Sequence, residues 1–193
     1  MRFKSGVIVN FLIILIIWSS GCTEPKKSQE TELIVMGVTG ESREFTLMEI
    51  KELPNIDGTS EHQNSLGDWS GKGVYKGVSI SVFAEEVGGM QPGDILLVTS
   101  EDNYVQVFSY SKIYPSTEWD RIQGSMILAY SYNGTLFPDW TEGYRIVFLP
   151  KDHAYSNADC EATSPPREGY NIWPSAGFRW LKFVRILRIR NIK

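Results

Sequence analysis

The feature that most narrows how this chain can fold is a succession of strand-length apolar runs separated by turn residues. Residues 94–100 (DILLVTS), 104–110 (YVQVFSY), 126–132 (MILAYSY), 144–149 (YRIVFL) and 183–189 (FVRILRI) are rich in aliphatic, β-branched and aromatic residues. Such segments suit a pleated, half-buried surface. Asn133-Gly134 divides residues 126–132 from Thr135-Leu136-Phe137. Asn-Gly tolerates the positive φ that both central positions of a tight turn demand, so a β-hairpin is predicted there. Residues 33–38 (LIVMGV) predict an earlier strand, closed by Thr39-Gly40.

Helical signals are short and local. Thr46 can cap a helix, Glu49 can reach back as its box partner, and Phe45 can pack onto Ile50. Leu47, Ile50 and Leu53 then share one face, and Pro54 ends the run. A second short helix is predicted near residues 81–87, stopped by Gly88-Gly89. Residues 55–73 form a polar stretch rich in Gly, Asp, Ser and Asn. Residues 151–177 show no sustained periodicity and read as a long functional loop or insertion. Strands alternating with short helices imply an α+β domain of mixed sheets.

The start of the chain reads as an address. Arg2 and Lys4 precede an apolar run over residues 7–18, broken only by Asn10. Its 12 residues match a signal-peptide core and fall short of the ~20 that span a bilayer. Ser19-Ser20-Gly21-Cys22 resembles a lipobox, in which the thiol is lipidated and the chain is cut before it. A retained N-terminal anchor and a secreted soluble protein are the alternatives. All three place the domain outside the cytoplasm. The expected organisation is a lipoprotein signal over residues 1–21, a lipid-attached flexible tether over 22–32 and one domain over 33–193. The expected location is the outer face of the cytoplasmic membrane, in the cell envelope, held through Cys22.

Composition excludes several classes. Two cysteines cannot build a disulfide scaffold, and with Cys22 lipidated, Cys160 is left as a lone thiol. The net charge is −4, and removal of Arg2 and Lys4 leaves seventeen Lys and Arg against 23 acids, a net −6. That acidic balance argues against a nucleic-acid partner. Basic residues nevertheless gather at the end of the chain: Arg179, Lys182, Arg185, Arg188, Arg190 and Lys193, with no acid among them. The strip reads as a charged edge strand that resists edge pairing. The alternative is a strip facing an anionic lipid surface.

The order of segments resembles the molybdopterin-binding domain of sulfite-oxidase-like oxidoreductases. Four stretches carry the resemblance: Asp68-Trp69-Ser70 with residues 73–80 (GVYKGVSI); residues 98–104 (VTSEDNY); Asn133-Gly134 through residues 143–150 (GYRIVFLP); and residues 178–182 (FRWLK). The resemblance implies that fold and a pocket for a pterin-like, phosphate-bearing ligand. It also implies cofactor-binding roles for Asn103, Tyr104, Arg145, Arg179 and Lys182, with Lys151 and His153 beside them. Cations and backbone N–H groups are what a phosphate needs. The chain departs from the pattern at three positions. Ser65 stands where the family carries its molybdenum-ligating cysteine, Tyr75 replaces a Trp, and Tyr144 replaces a proline. A serine hydroxyl is a harder and far less acidic ligand than a thiolate.

The expectation is therefore a non-catalytic binding module for a pterin-like or other anionic ligand, or for an envelope protein. One alternative is a molybdopterin-dependent oxidoreductase using Ser65 at the metal position. Another is a structural subunit of a membrane complex with no small ligand. No metal site is expected. His153 and Cys160 lie seven apart, and the only other histidine, His62, does not extend them into a Cys/His set. The rings of Trp69, Tyr75, Trp119, Trp140 and Trp173 are assigned first to core packing and second to ligand stacking.

Overall fold

The computed structural model describes residues 33–165 and 175–192. The signal segment, Cys22, the tether and Trp173 lie outside the described residues. Among the described residues ten strands form two sheets, accompanied by six short helices. The first sheet has the order β2 (Ser42–Phe45), β1 (Leu33–Met36), β10 (Val184–Asn191), β5 (Asp94–Ser100) and β6 (Val105–Ser109). β1 pairs with β10 in parallel while the other pairs among its described strands are antiparallel, which makes the sheet mixed. The second sheet runs β3 (Asn55–Gln63), β4 (Trp69–Ser79), β7 (Ser125–Tyr132) and β8 (Thr135–Leu136), and β9 (Arg145–Leu149) also pairs with β7. The fold is α+β with mixed sheets and short helices, as expected from the segment pattern.

Burial follows strand chemistry. In β5 the pattern alternates strictly, with Asp94, Leu96, Val98 and Ser100 inside. β1 alternates likewise, placing Leu33 and Val35 inside. This is the signature of a sheet with one packed face and one open face. β7 is buried along six consecutive residues, Met126 to Ser131, because β4 and β9 flank it and the core covers it. One apolar core joins Leu33, Val98, Phe108 and Leu187 of the first sheet to Val78, Ile127 and Phe148 of the second.

Two turn signals take the predicted form. Thr46 and Glu49 make a reciprocal capping box at the start of α1 (Leu47–Glu52). Asn133 and Gly134 adopt φ 48° and 82° between β7 and β8. α2 (Ile80–Glu85) lies close to its predicted place.

The structure adds to and corrects this reading at four places. Residues 55–73, legible only as a polar stretch, are largely strand: β3 and β4 pair from Asn55↔Val78 to Gln63↔Trp69. Their polar composition reflects exposure, because β3 is an outer strand whose ladder bonds, not aliphatic burial, hold it. Residues 151–165 are not wholly loop. Ser156 and Asp159 form a capping box for α5 (Asn157–Ala162), a signal of the S-x-x-D type that the polar surroundings obscured. The segment before it pairs with the free edge of β3, through Glu61 N to His153 O (3.1 Å) and Tyr155 N to Glu61 O (2.8 Å). α4 (Thr117–Gln123), capped by Ser116, was not foreseen. It ends at Gly124, φ 63°, where a Cβ would lie 1.8 Å from Leu149 O. Finally, β10 is not an edge strand. It sits between β1 and β5, so its arginines cannot serve to block edge pairing.

Candidate functional site

A cleft of about 430 Å³ opens where the β3–β4 hairpin, the segment before β9 and the segment before β10 meet. Its lining includes His62, Gly71, Tyr104, Glu142, Arg145, Trp180 and Lys182. Backbone bonds fix two of its walls to each other: Ile146 N donates to Leu181 O (2.9 Å), Phe183 N to Glu142 O (3.1 Å) and Val184 N to Tyr144 O (2.8 Å).

His62 sits beside a bulge in the β3–β4 register. Its ring lies between two glycines. A Cβ on Gly71 would meet His62 Cε1 at 2.9 Å, and one on Gly177 would meet Cδ2 at 3.0 Å. Gly71 also has φ 69°, so glycine is required there for both reasons. The imidazole packs on the Trp180 ring, with centroids 4.4 Å apart. Burial, followed by the nearby charges of Arg145 and Lys182, pulls its pKa down to about 3, so the ring is neutral at pH 7. Tyr75 stands edge-on to Trp180 at 5.4 Å, and burial pushes its phenol upward.

Three charged side chains organise the cleft. Arg145, 4% exposed, lies at the start of β9 with its guanidinium 5.3 Å from the Trp180 ring centre. Its Nη1 donates to Glu142 Oε2, and Lys182 Nζ donates to Glu142 Oε1. One carboxylate thus bridges two cations, leaving the trio a net single positive charge. Around it His62 Nδ1, Arg145 Nε and Trp180 Nε1 are buried with no hydrogen-bond partner among the described residues. Buried polar groups are normally paired, so three orphans around one cleft mark a place built to meet something.

The residues singled out from sequence divide into two groups. Tyr104, Arg145 and Lys182 come together in the cleft. Ser65, Asn103, Lys151, His153 and Arg179 do not line it. Ser65 is exposed in the turn between β3 and β4. Asn103 is exposed with φ 67° in the β5–β6 turn, where its N–H donates to Ser100 O. Lys151 is exposed. His153 is also exposed, and its Nδ1 lies 3.2 Å from Thr59 O. Arg179 is buried in α6 (Ala176–Arg179), donating to Gln106 Oε1 and Val107 O (both 2.6 Å) and lying 4.1 Å from the Phe108 ring centre. His62, Glu142 and Trp180 were missed. Glu142 is three residues before Arg145 within the same motif stretch and could have been found as its i,i+3 partner. His62 was hidden inside a stretch legible only as polar.

A metal-bound pterin does not fit this donor set. The one thiol among the described residues, Cys160, is buried in α5, with Sγ 3.9 Å from Ser164 Oγ, and it does not line the cleft. Ser65 at the hairpin tip offers no soft ligand to it either.

Fold and site together define an α+β domain of mixed sheets with a small charged cleft. In three dimensions the chain is similar to sulfane dehydrogenase SoxCD from Paracoccus pantotrophus, at TM-score 0.55 and 18% identity. The match covers 84% of this chain and 39% of that one, so the chain spans well under half of that protein's length. No protein-family model and no curated protein matches the sequence.

Proposed function

We propose that this chain is an extracytoplasmic, lipid-tethered binding domain that holds an oxyanion-bearing ligand, such as a pterin phosphate, without metal-thiolate catalysis. The observation that carries the reading is the cleft itself. It combines a net positive charge from Arg145, Lys182 and Glu142 with three buried, unpartnered polar atoms on His62, Arg145 and Trp180. Arginine presents a planar fork suited to phosphate or carboxylate, and a neutral His62 can donate without adding charge. The ligand anion competes with Glu142 for both cations, so binding displaces that carboxylate. Because no thiol of the described residues lines the cleft, the reading contains no metal-thiolate step.

The test is titration of natively purified protein with inorganic phosphate and with a pterin phosphate, followed by Trp fluorescence, alongside metal analysis. Saturable binding that disappears in Arg145→Met is expected. Stoichiometric molybdenum or tungsten would overturn the non-catalytic assignment. Absence of any anion binding would favour a second reading, a structural subunit with no small ligand, and the Glu142 bridge supports that reading because it already supplies both cations with a partner.

A further inference from the structure

The open face of the first sheet has no role in the cleft, and strand register defines its surface. One row runs Glu44, Ile34, Ile186, Thr99 and Val105 across β2, β1, β10, β5 and β6. The next runs Ser42, Met36, Arg188, Leu97 and Val107, and the last Arg190, Ile95 and Ser109. Seven of these thirteen positions are aliphatic or Met, two are arginine, and Glu44 is the one carboxylate. Ile34, Met36, Ile95, Leu97, Val107 and Ile186 are half-buried, while Val105 is 45% exposed. Arg188 rests against Met36 Sδ at 3.2–3.3 Å, and neither it nor Arg190 forms an ion pair among the described residues. Depressions flank the arginines on either side. One of about 290 Å³ is lined by Pro92, Ile95, Val107, Tyr110 and Ile192, and one of about 490 Å³ lies between Met36, Val38 and the two arginines. Aliphatic plates of this kind on a soluble sheet normally face a partner.

We infer that this face is the surface on which the tethered domain lies against an anionic phospholipid bilayer, with Arg188 and Arg190 on headgroup phosphates and the aliphatic rows at the headgroup boundary. The inference rests on the lipid-anchor reading of Cys22. Two arguments choose lipid over other occupants. The first is reach: ten residues separate Cys22 from Leu33, the first residue of β1 in this same sheet. Fully extended, they span at most about 35 Å, which keeps the sheet within its own diameter of the bilayer. The second is charge. The mature chain is acidic and an anionic surface repels most of it, whereas the register rows of this face carry two arginines and one carboxylate, Glu44, with the buried Asp94 at the rim of the smaller depression, so approach through this face is selected. The combination of buried aliphatics and Arg is that of an interfacial membrane surface.

The test uses the full-length, lipid-modified protein in vesicles of phosphatidylglycerol and phosphatidylcholine, with phosphatidylcholine alone for comparison. A polarity-sensitive fluorophore is placed at Leu97→Cys, and a control at Ser65→Cys on the exposed hairpin turn. Cys160 is buried and Cys22 acylated, so labelling is specific. In anionic vesicles the probe at 97 should shift to the blue and be quenched by nitroxide lipid, while the probe at 65 should not. High salt, or Arg188→Glu with Arg190→Glu, should weaken engagement of the face about thirtyfold, about fivefold for each arginine, while the protein still floats with the vesicles. The salt arm needs no variant to fold. Flotation with the probe at 97 in water overturns the inference alone. Protection of the probe in neutral vesicles, accompanied by cross-linking between copies, assigns the face to a second copy and overturns it too. Failure to float overturns the lipid anchor and the inference with it.

Discussion

Arg145 and Arg179 are both buried, at 4% and 1% exposure, yet they face opposite kinds of surroundings. Among the described residues Arg179 donates to two interior acceptors, Gln106 Oε1 and Val107 O, and packs on Phe108. Gln106 in turn donates to Phe178 O (3.1 Å) and Tyr104 OH (2.9 Å), so this arginine stitches α6 to β6 behind the cleft. Arg145 opens onto the cleft, bonded to a carboxylate that is itself part-exposed and shared with Lys182. The difference teaches that burial alone does not separate a structural cation from a binding one. The mobility and charge of its partner do: an amide and a carbonyl locked in a core cannot be exchanged for a ligand, whereas a shared surface carboxylate can.

The sharpest way to break that contrast is Arg179→Leu. It leaves Gln106 Oε1 and Val107 O buried without their donor and should cost about 3–5 kcal/mol in a denaturant titration. Arg145→Met should cost less in the same measurement and instead abolish phosphate binding. If the two variants exchange these phenotypes, the assignment of roles is reversed.

Acid provides the next largest effect. His62 is held at a pKa of about 3 in the folded state, against an ordinary value near 6.5. Between those values the unfolded chain takes up a proton that the folded chain refuses. Stability therefore falls as pH drops from about 6.5 toward 3, by about 1.4 kcal/mol per pH unit at most for this one site. His62→Phe preserves the stacking on Trp180 and removes the proton, so its stability should lose that part of the slope. Equal slopes for the two proteins between pH 6 and 4.5 would refute the buried neutral imidazole.

Glu142→Gln addresses the bridge directly. It removes the carboxylate that competes with a ligand and should tighten phosphate binding about tenfold, equivalent to about 1.4 kcal/mol. Unchanged affinity, read by the same fluorescence titration, would favour the structural reading. Lys182→Ala should be the mildest change. Its side chain is 44% exposed, so the loss of its ion pair should move stability by less than about 1 kcal/mol while weakening the anion.

Much of the fold was legible because local chemistry and tertiary role agreed. β5 matches its predicted bounds, and the Asn133-Gly134 turn and the Thr46–Glu49 cap act as their residues require. Legibility failed where long-range pairing decided the state. Residues 55–63 have little to bury, yet they are a strand because β4 on one side and residues 153–155 on the other supply partners for their backbone. The site was half legible. Tyr104, Arg145 and Lys182 followed from motif order, but Glu142 and His62 complete the cleft only through the approach of the segments before β9 and β10.

By itself, then, the amino-acid sequence determined the α+β class, the hairpins and caps, and the displacement of both cysteines from the expected metal position, since each follows from residues acting within a few positions of one another. Only the tertiary structure decided which arginine is a stitch and which lines the cleft, and that β10 is a central strand whose arginines look outward across an aliphatic sheet. Those outcomes depend on which segments meet in space, and the charge and burial around a side chain are set by neighbours as much as 152 residues away, as Arg188 Nη2 against Met36 Sδ at 3.2 Å illustrates.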